Sequence, residues 1–376
     1  MHIIICRSNP VAPDPRVEKE AQALINAGYQ VEVIGWDRSG SYPVNEKKEG
    51  YTVHRIQIPA KYGAGIGNII NLIVWQFRLS LWLYSHRRVC DVLHACDFDT
   101  ILPCFLMKLV FEKKIVYDIF DFYPDHLRNT PEWIKNSIRT LDQWLINHAD
   151  SVILVDDSRR EQIKDTKPKS VSIIYNSPQD IKLQDHNYIP SSNGRLQLIY
   201  VGLLQKERGI IEAASLLKNH RNWVLDIAGF GGDEDEIYAA CKDLHNINWH
   251  GTVSYKKALK LSAAADVLFA TYDPSIPNHR YSSPNKLFEA MMLGKPIIVS
   301  QNTNMDMIVE RHNCGIIVSY GNITELDAAL QKLANDPSLR ARLGTNARKA
   351  YETEYSWQIM SSRLVKLYSQ FQTADA

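Results

Sequence analysis

The sequence predicts an α/β protein of two doubly wound domains. Three observations lead there. Short β-branched runs alternate with helical stretches along both halves of the chain. Most of these runs lack polar alternation, as strands buried on both faces of a parallel sheet do. The 376 residues are too many for one ordinary core, and a polar stretch breaks the rhythm near the middle.

In the first half, strand-like runs fall at 2–6, 31–34, 53–56, 92–95, 115–117, 151–155 and 171–175. A helix over 17–27 stops at Gly28, a residue that tolerates the left-handed geometry past a helix end. A second helix, over 134–146, has apolar residues at 134, 138, 141 and 145, along one face. This gives a first domain over 1–176. Residues 177–195 are polar, hold two prolines and a glycine, and read as an interdomain linker. The rhythm restarts with strands at 196–201, 223–228, 247–250, 267–270, 297–300 and 315–319. Helices over 210–217, 255–265, 285–293 and 323–334 lie between them, and 196–356 is the second domain.

Composition excludes several classes. Basic and acidic residues nearly cancel, 43 against 42, so no global field points to nucleic acid. The six cysteines show no CxxC spacing and read as reduced thiols of a cytoplasmic chain, with no metal site. The N-terminus lacks the charged region, long apolar core and cleavage site of a signal peptide. The segment 66–84 is about long enough to span a bilayer, but it holds two Asn and a Gln between two strands of one sheet. It is read either as a buried connecting helix or as one that also docks on a membrane surface. The connecting helix is the leading reading, and Trp75, Trp82, Tyr84 and the trailing Arg87 and Arg88 keep a peripheral membrane contact through 66–88 open.

Three stretches could carry chemistry. In 196–209, a strand ends at Gly202 and Arg208-Gly209 opens a helix. Arg208 is either a bidentate phosphate contact beside a helix N-terminus or the solvated arginine of a plain βα turn. In 228–233, Gly229 belongs to a Gly-x-Gly-Gly loop at a strand's carboxyl end, where open α/β sheets bind ligands. The acidic run Asp233–Glu236 disfavours pyrophosphate there and leaves a base or ribose contact, or simple turn geometry. In 281–300, Ser283 is the expected N-cap and Pro284 the first helical residue. Lys286 sits in the first turn, where a cation opposes the helix dipole unless it meets a bound phosphate. Glu289, one turn on, can accept both hydroxyls of a ribose. The bland alternative is an amphipathic helix with solvated charges.

The order VGLLQKERG, AGFGGD, YSSPNKLFEAMMLGKPII resembles the family 4 retaining glycosyltransferases and, more broadly, the GT-B fold, which implies two Rossmann-like domains facing a cleft. The first half adds NPVAPDPRVEKEAQALINAGYQVEVIG, DVLHACDFDTILP and KIVYDIFDFYPD, which look like the family's acceptor-side segments. Tyr355-Ser356-Trp357 and the helix after it look like the segment that crosses back, so 357–376 joins the first domain. The resemblance implies that Glu289 binds the donor ribose and that Arg208 holds the diphosphate. Lys286 with Ser283 and Asn285 would form the rest of the diphosphate cradle, Gly202 lies beside it, and Ser282 counts among the donor-binding residues. Three positions depart from the family. Ser282 stands where the first glutamate of a Glu-x₇-Glu pair would fall, Leu203 where an arginine is usual, and Phe120 where many relatives have histidine.

The expected reaction is transfer of a sugar, with retention, from a UDP- or GDP-linked donor to a saccharide or lipid-linked saccharide at the inner membrane face. It needs no metal and no further cofactor: Arg208, Lys286 and a helix N-terminus stabilise the leaving diphosphate. In the first domain Asp121 is the expected polar group at the acceptor hydroxyl. Asp14, Arg16, His94 and Asp97 are acceptor-side residues, with the alternative that Asp14 and Arg16 cap the first helix and pair with each other. A non-catalytic nucleotide-sugar binder, motivated by Ser282 and Phe120, and a nucleotide-sugar epimerase on the same fold stay open.

Overall fold

The computed structural model describes residues 1–60, 68–127, 130–181 and 194–372. The chain divides into two compact units, one of residues 1–175 with 360–376, the other of residues 176–359.

The first unit runs β1 (His2–Arg7), α1 (Pro15–Asn26), β2 (Gln30–Asp37), β3 (Asn45–Lys47), β4 (Thr52–Gln57) and α2 (Ile69–His86). It continues with β5 (Val92–Cys96), α3 (Phe98–Phe111), β6 (Lys114–Ile119), α4 (Tyr123–His126), α5 (Glu132–His148), β7 (Ser151–Leu154) and β8 (Val171–Ile173). Its sheet has the order β3-β4-β2-β1-β5-β6-β7-β8, parallel except for the antiparallel edge β3. No hydrophobic run announces β3, because an edge of three exposed or half-exposed residues has none. The central strands are buried on both faces, as their unbroken apolar runs require. Ile4, Cys6, Leu93, Ala95, Ile115 and Tyr117 join Trp75, Leu79 and Leu83 of α2 in one core, with α3 and α5 covering the same face. The expected 66–84 helix is α2; positions 66 and 67 lie outside the described residues.

The second unit runs β9 (Leu196–Leu203), α6 (Ile210–Leu216), β10 (Trp223–Phe230), α7 (Glu234–Cys241), β11 (Ile247–Gly251), α8 (Tyr255–Ala264) and β12 (Val267–Ala270). Then come α9 (Pro277–Arg280), α10 (Asn285–Leu293), β13 (Ile297–Ser300), α11 (Met305–His312), β14 (Gly315–Val318), α12 (Ile323–Asn335) and α13 (Pro337–Ala350). Its sheet is wholly parallel, β11-β10-β9-β12-β13-β14. A last helix, α14 (Trp357–Gln372), starts in this unit and ends in the first. Of the stretch read as linker, 182–193 lies outside the described residues. Residues before it lie on the second unit: Tyr351 donates to the Pro178 carbonyl at 3.0 Å, and Arg348 clasps Asp180 at 2.6 and 2.9 Å.

Two local expectations need correction. β9 does not end at Gly202 but continues through Leu203, and β10 likewise passes Gly229; the two glycines face each other in register. A side chain on Gly229 would bring its Cβ to 1.9 Å from the Gly202 carbonyl oxygen, so the glycine lets the two strands close. The N-cap of α10 is Pro284, and Ser283 caps nothing. Pro284 is extended, which sets Asn285 as the first helical residue. The far end is as the sequence implies: Gly294 adopts φ +63° and stops the helix.

Candidate active site

Both sheets reverse direction of strand order between two central strands, β1 and β5 in one, β9 and β12 in the other. Open α/β sheets bind ligands at the carboxyl ends of such strands. In each unit the charged residues gather there.

In the second unit the centre is Lys286, buried in the first turn of α10. Its Nζ lies 3.5 Å from the centroid of the Tyr200 ring and 5.3 Å from that of Tyr272. A Cβ on Gly202 would stand 3.5 Å from the same nitrogen, so glycine keeps the approach to the lysine open. Lys286 Nζ has no hydrogen-bond acceptor among the described residues. Burial, then the neighbouring Arg208, hold its pKa well below the usual ammonium range, against the attraction of Glu289. The Arg208 guanidinium stacks 4.2 Å over Tyr272, and its Nε donates to Gln205 at 3.3 Å. Gly209 follows at φ +69°, pressed so close to Thr271 that a Cβ would fall 1.9 Å from its Oγ1. Glu289 is buried and accepts a hydrogen bond from the Tyr255 hydroxyl.

The structure thus brings Gly202, Arg208, Lys286 and Glu289 together on a frame of three tyrosines. Tyr200 is itself fixed, donating to the Leu203 carbonyl at 2.6 Å. The neighbours of Lys286 are placed differently. Asn285 is exposed, Ser282 Oγ is turned back to the Asn278 carbonyl at 3.2 Å, and Ser283 is buried with its Oγ lacking a partner among the described residues. Asn176 donates to the Ser283 carbonyl at 3.1 Å and steadies this turn.

In the first unit the centre is Arg7, at the end of β1. Its Nε donates to Asp14 at 2.9 Å, Nη1 donates to Asp97, and the guanidinium lies 4.1 Å over the Phe120 ring. Asp14 also caps α1 through Val17 N–H at 3.3 Å and accepts from Asn9 at 2.8 Å. Burial raises the Asp14 pKa, but Arg7 and these donors overcome it and hold the carboxyl below its usual range. Asp97 follows β5 at φ +63°, a strained conformation for a residue other than glycine. It accepts the Phe120 N–H at 2.8 Å; burial outweighs Arg7 and raises its pKa. Asp121 is half-exposed and accepts from Arg159 at 2.7 Å.

The pairing of Asp14 with Arg16 does not occur. Asp14 takes Arg7, whereas Arg16 turns into the sheet and binds Asp118 with Nε at 3.0 Å and Nη2 at 2.9 Å. His94 is also enclosed. It lies 3.4 Å from Asp118 and 3.7 Å from Glu20, and its Nδ1 meets the Tyr368 hydroxyl of α14 at 2.7 Å. Glu20, His94 and Asp118 form the grouping of metal-binding spacing found among the described residues. Arg16 lies 3.1 Å from Glu20 as well, so the cluster already contains its own cation. Burial, only partly offset by Arg16, pushes the Glu20 pKa up to about 7.

Arg7, Tyr200, Tyr255 and Tyr272 escape sequence reasoning. A lone arginine at a strand end carries no local signal, and its partners stand 7 and 90 residues away. Tyr200 and Tyr272 fall within or beside apolar runs, where an aromatic reads as core, and Tyr255 opens a helix between Ser254 and two lysines, where nothing marks it.

Comparison with known proteins gives the family and the fold. The model of the Glycosyltransferase Family 4 matches residues 16–177, and that of the Glycosyl transferases group 1 matches residues 182–350. A glycogen synthase of Mycobacterium tuberculosis is 21% identical over 292 residues, 74% of this chain and 68% of that protein. The sucrose-phosphate synthase from Thermosynechococcus elongatus superposes with a TM-score of 0.79 at 15% identity, over 100% of both chains. Anabaena HepE in complex with UDP-glucose superposes with a TM-score of 0.71 at 14% identity, over 98% of this chain and 100% of that one. Likeness at such identity speaks for the fold. The two family models together take in most of the sequence, and the chain belongs to the family 4 glycosyltransferases of GT-B fold.

Proposed function

We propose that the protein transfers a sugar, with retention and without a metal ion, from a nucleoside-diphosphate sugar carrying UDP or GDP. The acceptor is a saccharide or a lipid-linked saccharide, met in the cytoplasm or at the inner face of the membrane. The observation that carries this reading is Lys286, a buried ammonium with a depressed pKa and no acceptor for its protons among the described residues, beside Arg208 and glycine-lined strand ends. A diphosphate answers that arrangement: its oxygens accept from both cations, and its charge raises the Lys286 pKa again. Anabaena HepE binds UDP-glucose on the same fold.

Glu289 takes the ribose hydroxyls. When the bond from the anomeric carbon to the diphosphate oxygen breaks, charge grows on that oxygen, and Arg208 and Lys286 stabilise it without reorganising. The acceptor oxygen forms its bond to the anomeric carbon on the face the leaving group departs, and its proton passes to the departing diphosphate. Asp121 is the polar group proposed at the acceptor hydroxyl, held by Arg159. Asp97, Arg7 and Asp14 position the loop that carries it. Gly229 serves strand closure first, and any donor contact there is through its backbone.

A thermal-shift panel of UDP, GDP, ADP, dTDP and their sugar conjugates, with and without EDTA, tests the reading. Ligand bound only to the folded state must raise its stability. A selective, EDTA-insensitive rise followed by release of that diphosphate in the presence of a saccharide is the expected result. A rise without release for any donor would favour a nucleotide-sugar binder, the reading that Ser282 and Phe120 motivate. No rise at millimolar concentration would overturn the donor assignment.

A further inference from the structure

Helix α2 is apolar on two sides. Trp75, Leu79 and Leu83 are buried in the core of the first unit. On the outward side Ile70, Ile73, Phe77, Leu81 and Tyr84 recur three or four residues apart, one continuous helical stripe. A helix at the surface of a domain ordinarily shows charge there. The stripe does not stop at the helix edge. Leu106, Leu109 and Val110 are exposed on α3, and Trp133, Leu141 and Trp144 on α5. Phe77, Leu109, Val110, Ile70 and Trp133 are 63–72% exposed. The three helices are neighbours on one face of the sheet. The Tyr84 and Phe111 rings stand 5.8 Å apart, and Phe105 and Trp144 4.8 Å apart, bridging α2 to α3 and α3 to α5. A connected apolar face over three helices exceeds what scattered surface leucines account for.

Charge indicates what covers it. No carboxylate occurs between Ile69 and Arg88. Arg87 lies 3.9 Å over the Tyr84 ring and 5.7 Å from that of Phe111, so the ends of α2 and α3 meet, and Arg88 and Lys113 follow those ends in sequence. Glu112 lies among them, and Glu132, next to Trp133, is taken by Lys135 at 2.8 Å. We propose that the outward faces of α2, α3 and α5 form an in-plane docking surface for an anionic lipid bilayer. Aliphatic side chains and the phenyl ring of Phe77 enter the acyl boundary. Trp133, Trp144 and Tyr84 sit at headgroup level, and Arg87, Arg88 and Lys113 meet lipid phosphates.

Two other occupants fit less well. A second copy packed about a two-fold axis would set this acid-free helix against itself and offer no carboxylate to Arg87 and Arg88 from α2. Insertion across the bilayer is ruled out for α2, whose inner side is core between β4 and β5. No helix among the described residues is long and apolar enough to cross a membrane. The proposal goes beyond the transfer reaction and stands apart from the donor assignment.

Flotation of the full chain with vesicles tests it. Vesicles of equal parts phosphatidylglycerol and phosphatidylcholine should carry the protein, at least tenfold more of it than vesicles of phosphatidylcholine alone, and raised salt should reduce the difference. The double variant Phe77→Ser, Leu109→Ser should lose at least tenfold in partitioning while keeping the parent's melting temperature and its response to nucleotide. Arg87→Glu with Arg88→Glu should lose the preference for the anionic lipid. Quenching of tryptophan emission by brominated lipid, diminished by Trp133→Tyr, reports the orientation without relying on the apolar variants. The proposal is overturned if the folded chain ignores anionic vesicles, or if both variants bind as the parent does. It is also overturned if the parent sediments as a dimer that Phe77→Ser makes monomeric, since a second copy then covers the face.

Discussion

The Lys286 ammonium lies 3.5 Å from the centroid of the Tyr200 ring, and that ring is fixed by its own hydroxyl on the Leu203 carbonyl. An aromatic face attracts a cation but replaces none of its hydrogen bonds. Lys286→Met keeps the length and removes the charge. UDP or GDP affinity, whichever diphosphate binds, should fall more than tenfold, a loss of about 1.4 kcal/mol or more for a charge-assisted contact. The melting temperature should hold or rise, because an unpartnered buried ammonium is gone. Calorimetry showing less than a threefold loss would remove Lys286 from the phosphate clamp.

Proton uptake gives a second readout. Burial, with Arg208 behind it, holds the free lysine well below 10.5, and a bound diphosphate raises it again. Diphosphate affinity should therefore decline as pH rises through the depressed free-state pKa. Calorimetry in buffers of differing ionisation enthalpy should show a proton taken up, and Lys286→Met should abolish it.

Glu289 separates ribose from phosphate. Its carboxylate is held by Tyr255, so it is already oriented. Glu289→Gln should weaken nucleoside diphosphate binding about tenfold, the scale of one charged hydrogen bond. Pyrophosphate binding should be unchanged. Equal losses for both ligands would place Glu289 at the diphosphate instead.

Gly229 discriminates packing from ligand contact. The clash of an alanine Cβ with the Gly202 oxygen at 1.9 Å predicts destabilisation of roughly 1–3 kcal/mol for Gly229→Ala. Denaturant unfolding of the ligand-free protein measures it. Unchanged stability with lost donor binding would reverse the interpretation.

Asp142 ties stability to pH. It is wholly buried and accepts the Tyr117 hydroxyl at 2.7 Å, and burial pushes its pKa up from 3.8 to about 7. The folded state therefore favours the protonated acid. That stability is complete below about pH 4 and is lost as pH climbs through about 7, at ~1.4 kcal/mol per unit. Asp142→Asn does not titrate. Urea unfolding at pH 5 and pH 8 should show a smaller decline for the variant than for the parent, and a parallel decline would refute the assignment.

How much of this was legible follows from the range of the interactions. The α10 end at Gly294 and the proximity of Lys286 and Glu289 are local, written within one turn or two of helix. Arg208 reaches them because β9 and β12 are neighbours, which the alternating strand pattern implies in kind but not in register. Asp14 and Arg16 are neighbours in sequence and looked like partners. Each instead took a residue of the sheet, Arg7 or Asp118, because burial rewards the pair whose geometry the sheet has already set. Ser283 looked like a cap, but the extended Pro284 took that position.

The His94–Tyr368 hydrogen bond has a consequence for synthesis. The first unit leaves the ribosome unfinished, since the helix that meets His94 is made after the second unit. Until then the Glu20–His94–Asp118 cluster lacks its lid, and a nascent chain ending near residue 175 exposes ionisable groups that the finished protein seals. Chaperones holding such a chain should let go only once α14 has emerged, and translation paused before it should yield protein that proteases clear.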